Sequence, residues 1–363
     1  MLSKPINILI SPLDWGLGHA TRCIPVIKLL LDAGHRITIA GSGRSILLLQ
    51  KEFPELESIT LNGFSPTFKQ TEGLAWQLLL MLPRFISTLL KENRDLKTLI
   101  KQKNIELVIS DNRYGMRNKQ IKSIIITHQV MIKAPLRLRC LEYPLYLVSK
   151  FLISRFDECW IPDYDISPGL SGDLSHKYLI PANALFIGPL SRFTKPESLN
   201  KTSNSELKIT AIISGTEPQR STFENLIIKQ FTRMDSNATI ISGKPESPAG
   251  KAQQGKLTIL ANATVKEMKS AIADSGLIIC RSGYSSIMDL EALRSKALFV
   301  PTPGQTEQLY LAELHQAKGN ALWRNEADLN LQTDIPEAIK YPGFTNHYPY
   351  KEPKSILERI VKK

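Results

Sequence analysis

The sequence predicts an α/β protein built from two Rossmann-like domains facing each other across a cleft. Short apolar, β-prone runs recur along the 363 residues, each followed by a polar or glycine-bearing turn and a segment of helical period. The pattern pauses over 191–206, a stretch rich in Ser, Asn, Thr, Lys and Pro, and restarts at 208. Length alone sets a matching expectation of about two domains. The predicted organisation is a domain at 1–190, a linker at 191–206, a domain at 207–345, and a C-terminal helix at 346–363 packing back on the first domain. Continuous apolar strands suit a parallel sheet covered on both faces, and such sheets hold ligands beyond the carboxyl ends of their strands.

In the first half, a strand at 5–11 leads into the loop Asp14-Trp15-Gly16-Leu17-Gly18-His19-Ala20-Thr21-Arg22. A helix from about 22 to 33 and a strand at 35–40 complete a right-handed βαβ unit. The run Gly16-x-Gly18-x-x-Thr21 lacks a third glycine, and the second strand ends in Gly41-Ser42-Gly43-Arg44 instead of an acidic residue, which excludes a nicotinamide dinucleotide. His19 is placed at the mouth of the sheet beside glycines that permit close approach; it reads as a site residue or as a solvent-facing helix cap. A helix at 45–51, a strand at 59–62 and an irregular loop at 63–73 follow. The stretch 74–86 is apolar nearly all round and is followed by Lys91, Arg94, Lys97, Lys101 and Lys103, so it suits either a core helix or contact with a membrane surface. Strands at 106–110 and 123–127 end in Asp111-Asn112-Arg113 and His128-Gln129. Asp111 could serve a ligand, cap a helix or pair with Arg113. A helix apolar on most faces (143–156) and strands at 158–163 and 185–190 close this half.

The second half opens with a strand at 208–213 and the turn Ser214-Gly215-Thr216-Glu217-Pro218, then a helix at 222–234. Strands at 238–241 and 257–260 and a helix at 264–273 precede its central stretch. There, the apolar strand 277–280 meets the turn Arg281-Ser282-Gly283, and a helix opens near Tyr284-Ser285-Ser286. A helix N-terminus aimed beyond a strand's carboxyl end suits a diphosphate, and Asp289 on the second helical turn suits a ribose hydroxyl pair. An ordinary serine-capped turn is the plainer alternative. A strand at 297–300 and the loop 301–308 follow.

Composition narrows the function classes. The formal charge of +12 favours anionic partners such as nucleotide diphosphates or anionic lipid, and no aromatic-basic interleaving suggests nucleic acid. The four scattered cysteines form no CxxC pair and have no histidine cluster beside them, which argues for a reducing cytoplasm and against a metal site. No apolar run approaches the roughly 18 residues a transmembrane helix needs. A peripheral position on the cytoplasmic membrane is compatible with the charge.

The run Arg281-Ser282-Gly283-x-x-Ser286-x-x-Asp289, followed by Pro301-x-Pro303 and Glu307-Gln308, resembles the C-terminal donor domain of a glycosyltransferase family. That family includes the peptidoglycan N-acetylglucosaminyltransferase that forms lipid II. Gly16-Leu17-Gly18-His19 resembles its N-terminal glycine-rich loop. The resemblance implies a GT-B fold and inverting, metal-independent transfer from a UDP-sugar, with no cofactor beyond that co-substrate. It implies that Ser214, Gly215 and Thr216 face the diphosphate through their backbone, that Val265 flanks the uracil, and that Ser282 and Gly283 meet the phosphates. Asp289 falls at the ribose-binding glutamate and Gln308 at the first of two sugar-contacting glutamines; Leu309 and Ala312 replace the second glutamine and a later asparagine. The Ser214–Pro218 turn in place of GGSQG weighs against the lipid II enzyme itself. The sugar and the acceptor, a lipid-linked one included, stay open.

Charge developing on the leaving diphosphate needs donors, which the helix near Tyr284 supplies with Arg281 or Arg220 as a nearby cation. A base must take the acceptor's proton: His19 by type and place, with Asp111 and His128 as alternatives. Two other readings fit the same layout, a non-hydrolysing UDP-sugar epimerase and a basic membrane-binding protein without catalysis.

Overall fold

The computed structural model describes residues 4–63, 74–193, 207–234, 236–248 and 250–345, with backbone alone for 74–81, and each half of the chain forms one seven-stranded sheet. The halves are separate compact units that divide after Leu190. Of the expected linker only 191–193 is described. The loop 64–73 and the expected helix at 346–363 lie outside the described residues.

The first unit runs β1 (Asn7–Pro12), α1 (Gly18–Asp32), β2 (Arg36–Gly41), α2 (Gly43–Glu52), β3 (Glu57–Thr60), α3 (Leu74–Lys103), β4 (Leu107–Asp111) and β5 (Lys122–Ile126). A 3₁₀ turn (Leu136–Leu141) then leads into α4 (Glu142–Ile153), β6 (Glu158–Ile161), α5 (Asp173–His176) and β7 (Ala184–Phe186). Its strands pair in parallel in the order β3-β2-β1-β4-β5-β6-β7. Leu9, Val108, Leu96 and Met116 fill one cluster beneath α3, and Ile125, Ile161, Tyr146 and Ile153 another beneath α4. Each apolar side chain buried this way contributes roughly 1.5–3 kcal/mol. Helix α3 crosses so close to the β4–β5 connection that a Cβ on Gly115 would sit 2.6 Å from the Leu89 carbonyl oxygen and from Glu92. Because backbone is the obstacle, Gly115→Ala should lose roughly 1–3 kcal/mol, measurable by chemical denaturation.

The second unit runs β8 (Ile209–Ile212), α6 (Gln219–Met234), β9 (Ala238–Ile241), β10 (Lys251–Gln254), β11 (Leu257–Leu260), α7 (Val265–Ala273) and β12 (Leu277–Cys280). It continues with α8 (Tyr284–Ala292), β13 (Ala297–Phe299), α9 (Thr306–Ala317), β14 (Ala321–Trp323) and α10 (Leu331–Ala338). The order is β10-β11-β9-β8-β12-β13-β14, parallel except for β10 against β11. Phe223, Ile227 and Phe231 of α6 pack on Ile209, Ala211, Ile240 and Leu298.

Several boundaries differ from the periodic expectation. Helix α1 begins at Gly18, a full turn before Arg22, because only Gly16 (φ 82°) takes a conformation that needs glycine. Thr21 N–H donates to the Leu17 carbonyl at 2.9 Å, so the turn read as loop is already helical. Helix α9 likewise starts at Thr306, which places Glu307 and Gln308 on its first turn instead of in a loop. Strand β10 escaped notice because Lys-Ala-Gln-Gln is polar and wholly exposed at a sheet edge, where no apolar period exists.

Candidate active site

In open α/β sheets the ligand crevice opens where the strand order reverses. The first unit reverses between β1 and β4, and there the chain gathers its acid–base groups. Asp111 is the last residue of β4, paired in register with Pro12 of β1. Asn112 then takes a left-handed turn (φ 55°) that an asparagine tolerates. His19 and Arg22 lie three residues apart on α1, hence on one face. His128 follows β5 by two residues.

His19 Nδ1 lies 2.6 Å from Asp111 Oδ1, and Arg22 grips the same carboxylate through Nε to Oδ2 and Nη2 to Oδ1. Arg22 Nη1 donates to His128 Nδ1 at 2.9 Å. These contacts assign the tautomers. A guanidinium only donates, so His128 Nδ1 must accept, and a neutral His128 carries its proton on Nε2. Arg22 Nη2 also lies 2.9 Å from His19 Nδ1. A nitrogen beside an ionised carboxylate is better served by donating to it, so His19 holds its proton on Nδ1 and presents the Nε2 lone pair outward. Nε2 has no partner among the described residues, and the ring is partly exposed. His19 is thus poised as a base and His128 as a donor.

Burial by itself would raise the Asp111 pKa, but the Arg22 and His19 charges and hydrogen bonds outweigh it and hold the carboxyl below its ordinary range. Of the sequence alternatives for Asp111, pairing with Arg113 is not realised: Arg113 Nε donates to Glu92 at 2.9 Å and its Nη1 to the Leu61 carbonyl. Arg22 was the residue missed. Its spacing from His19 becomes a signal once α1 is known to start at Gly18. The N-terminus of α2 does not extend this site, because Asp14 occupies it, accepting from Ser45 N–H at 3.3 Å. A Cβ on Gly43 would collide with that carboxylate.

The second unit reverses between β8 and β12. Ser214-Gly215-Thr216 leaves β8 and Arg281-Ser282-Gly283 leaves β12. Helix α8 starts on Gly283 with no side-chain cap. Gly283 has an ordinary φ of −69°, and a Cβ there would meet nothing within 4 Å. Neither conformation nor packing within the chain calls for glycine, which fits a site where a ligand approaches backbone at a helix N-terminus. Gly215 (φ 119°) and Gly304 (φ 80°), after β8 and β13, also face open space. The start of α6 differs: Glu217 caps it, accepting from Ser221 N–H at 3.2 Å and pairing with Arg220. Of the two helix starts at this reversal, α8 is the better placed for an anion. Val265 is the first residue of α7 and half-buried, behind a capping box formed by Thr264 and Glu267.

Comparison with known proteins bears directly on this unit. Residues 212–358 match the glycosyltransferase family 28 C-terminal domain. The match takes in most of the second unit. An uncharacterized glycosyltransferase of Methanosarcina acetivorans is 24% identical over 330 residues, covering 86% of this chain and 84% of its own length. The UDP-N-acetylglucosamine--N-acetylmuramyl-(pentapeptide) pyrophosphoryl-undecaprenol N-acetylglucosamine transferase of Chlorobium luteolum is 26% identical over 137 residues, 36% of each chain. Among solved structures, spinosyn rhamnosyltransferase SpnG superposes with a TM-score of 0.64 at 14% identity, covering 98% of this chain and all of its own. The fold is GT-B, and the chain is similar to glycosyltransferases over most of its length.

Within the family 28 domain, three expected ligand contacts are engaged by the chain itself. The Asp289 carboxylate accepts from Ser191 Oγ at 2.8 Å and Arg192 Nε at 3.0 Å, and burial raises its pKa against both partners. Gln308 uses its side chain to bind Thr302 N–H at 2.9 Å and Gln305 at 2.6 Å, and Ser282 Oγ donates to the Gln308 carbonyl at 2.7 Å. These bonds tie the loop after β12 to the start of α9. Arg281 is the clear correction. Expected as a cation over the leaving group, it is buried, donating to the Val300, Pro301 and Gln219 carbonyls and pairing with Glu326 at 2.6 Å over the Phe223 ring. Arg220 is similarly turned inward, to Glu224 at 2.9 Å and the Ser242 carbonyl. Ser286 and Glu307 are half-buried on the first turns of α8 and α9.

Proposed function

We propose that the chain transfers a sugar from a UDP-sugar to an acceptor hydroxyl, with inversion and without metal, using His19 as the base. The observation that carries this reading is the His19–Asp111 pair held by Arg22 at the first sheet's reversal point. One base, aligned by a carboxylate and open at Nε2, is the equipment for a single displacement. Nε2 takes the acceptor's proton, the acceptor oxygen bonds to the sugar's anomeric carbon, and the bond to the β-phosphate oxygen breaks, releasing UDP. Asp111 stabilises the imidazolium as it forms. On the donor side the N-terminus of α8 meets the diphosphate, whose charge grows in the transition state. With Arg281 and Arg220 turned inward, that work falls to backbone dipoles. Asp289 would serve the ribose only by sharing its carboxylate with Ser191 and Arg192. The family 28 domain supports a nucleotide-sugar donor. The lipid-linked acceptor of the Chlorobium relative makes such an acceptor a candidate here.

Two measurements test this. Calorimetric titration with UDP in EDTA should show binding that Gly283→Ala weakens about tenfold or more at unchanged thermal stability, since the added methyl enters space reserved for the ligand. Absence of uridine nucleotide binding by the folded wild type would sink the donor assignment. With water as a slow acceptor, His19→Ala should lose about 10²–10⁴-fold in UDP release while keeping UDP affinity. Conversion of a UDP-sugar to its epimer without acceptor would mean epimerisation instead.

A further inference from the structure

Residues 191–193, the start of the expected linker, are clasped onto helix α8 and count with the second unit. The Asp289 carboxylate makes the clasp. Its Oδ1 accepts from Ser191 Oγ at 2.8 Å, its Oδ2 from Arg192 Nε at 3.0 Å, and the Arg192 backbone N–H donates to the same group. These donors are themselves fixed. Phe193 N–H donates to Ser191 Oγ at 3.1 Å, which fills the hydroxyl's acceptor side and leaves its proton for Asp289. The Arg192 guanidinium lies 5.0 Å from the centre of the Phe193 ring, and that ring is buried. Asp289 is only 6% exposed. A carboxylate offers about four lone-pair positions, so three donors from the chain, one of them cationic, nearly fill it.

A ligand hydroxyl is selected when a ligand lacking it leaves a buried polar group of the site unpaired. Losing a hydrogen bond to a buried charged group costs about tenfold to a hundredfold in affinity. Asp289 escapes that penalty. Ser191 already supplies the O–H that a ribose would offer, and Arg192 supplies the countercharge. A ribose hydroxyl could replace Ser191 only by taking away the acceptor that the serine proton uses, so one bond is exchanged for another of the same kind. The other acid of α8, Glu291, lies two positions on, and residues so spaced do not share a helix face.

On the UDP-sugar reading of the same site, we propose that the donor site is indifferent to the ribose 2′-hydroxyl, because Ser191 and Arg192 satisfy Asp289 in its place. Sugars carried on 2′-deoxynucleoside diphosphates are then donors alongside UDP-sugars. Calorimetric titration of the full chain with UDP and with 2′-deoxyuridine 5′-diphosphate tests this. The two should bind with affinities within about fivefold of each other. Ser191→Ala frees one side of the Asp289 carboxylate and should raise the preference for UDP to about tenfold or more, with a thermal melt showing the variant folded. The wild-type ratio decides by itself should that variant not fold. A wild-type preference for UDP above about fivefold would overturn the indifference and leave the UDP-sugar reading intact. So would a folded Ser191→Ala that keeps the wild-type ratio. Binding of neither ligand by the folded wild type would overturn both together.

Discussion

Asp111→Asn should lower turnover by about 10²–10⁴-fold while leaving UDP affinity within a few-fold of wild type. The Asp111 carboxylate meets only donors: His19 Nδ1–H and Arg22 Nη2 on Oδ1, and Arg22 Nε on Oδ2. An asparagine must present one N–H₂ group in that ring. Turned toward His19, the amide would donate to Nδ1 and move the imidazole proton to Nε2, where the lone pair is needed. Turned toward Arg22, it would set donor against donor in a buried site. Either orientation removes the base or loosens its support. Turnover near the wild-type level would refute the role given to His19 and Asp111 together. The pH dependence adds a separate check. The folded Asp111 pKa lies below the ordinary 3.8, so its stabilising contribution is whole above that value and is lost only as pH falls through the lowered one. Asp111 should therefore add no limb to a pH–rate profile above about pH 4, and a limb found there in wild type should persist in shape when Asp111 is varied only if it belongs to another group.

Arg281→Met should destabilise the second unit by about 3–5 kcal/mol, read by chemical denaturation. Its guanidinium joins the carboxyl ends of β12 and β13 to the start of α6 through three carbonyls, and it neutralises the half-buried Glu326. Methionine keeps much of the volume over Phe223 but leaves those carbonyls without a donor and the carboxylate without its cation. Adding Glu326→Gln should recover part of the loss, since the unpaired charge then disappears. A loss below about 1 kcal/mol would return Arg281 to the ligand-facing role its place in the sequence suggested.

Much was legible before any coordinates. A buried parallel strand such as 277–280 announces itself because both faces are covered, so every residue is apolar. The restart at 208, the glycine turns at strand ends and the helix opening at Tyr284 are likewise local facts of composition and period. They brought His19, Asp111 and His128 to strand ends as separate candidates. Tertiary structure alone decided how those candidates relate, because strand order is a long-range outcome that periodicity does not encode. Only once β4 lies beside β1 does Asp111 come within 2.6 Å of His19, and only then does Arg22, one helical turn further on, choose which histidine keeps its lone pair outward. The direction an arginine faces is undetermined in the same way. Arg281 follows a strand that points at a ligand crevice, yet its side chain turns back because three carbonyls and a carboxylate within the fold satisfy it better than water does. For α4, the sequence showed a helix apolar on most sides; only the packed structure shows which of those sides was left to the solvent.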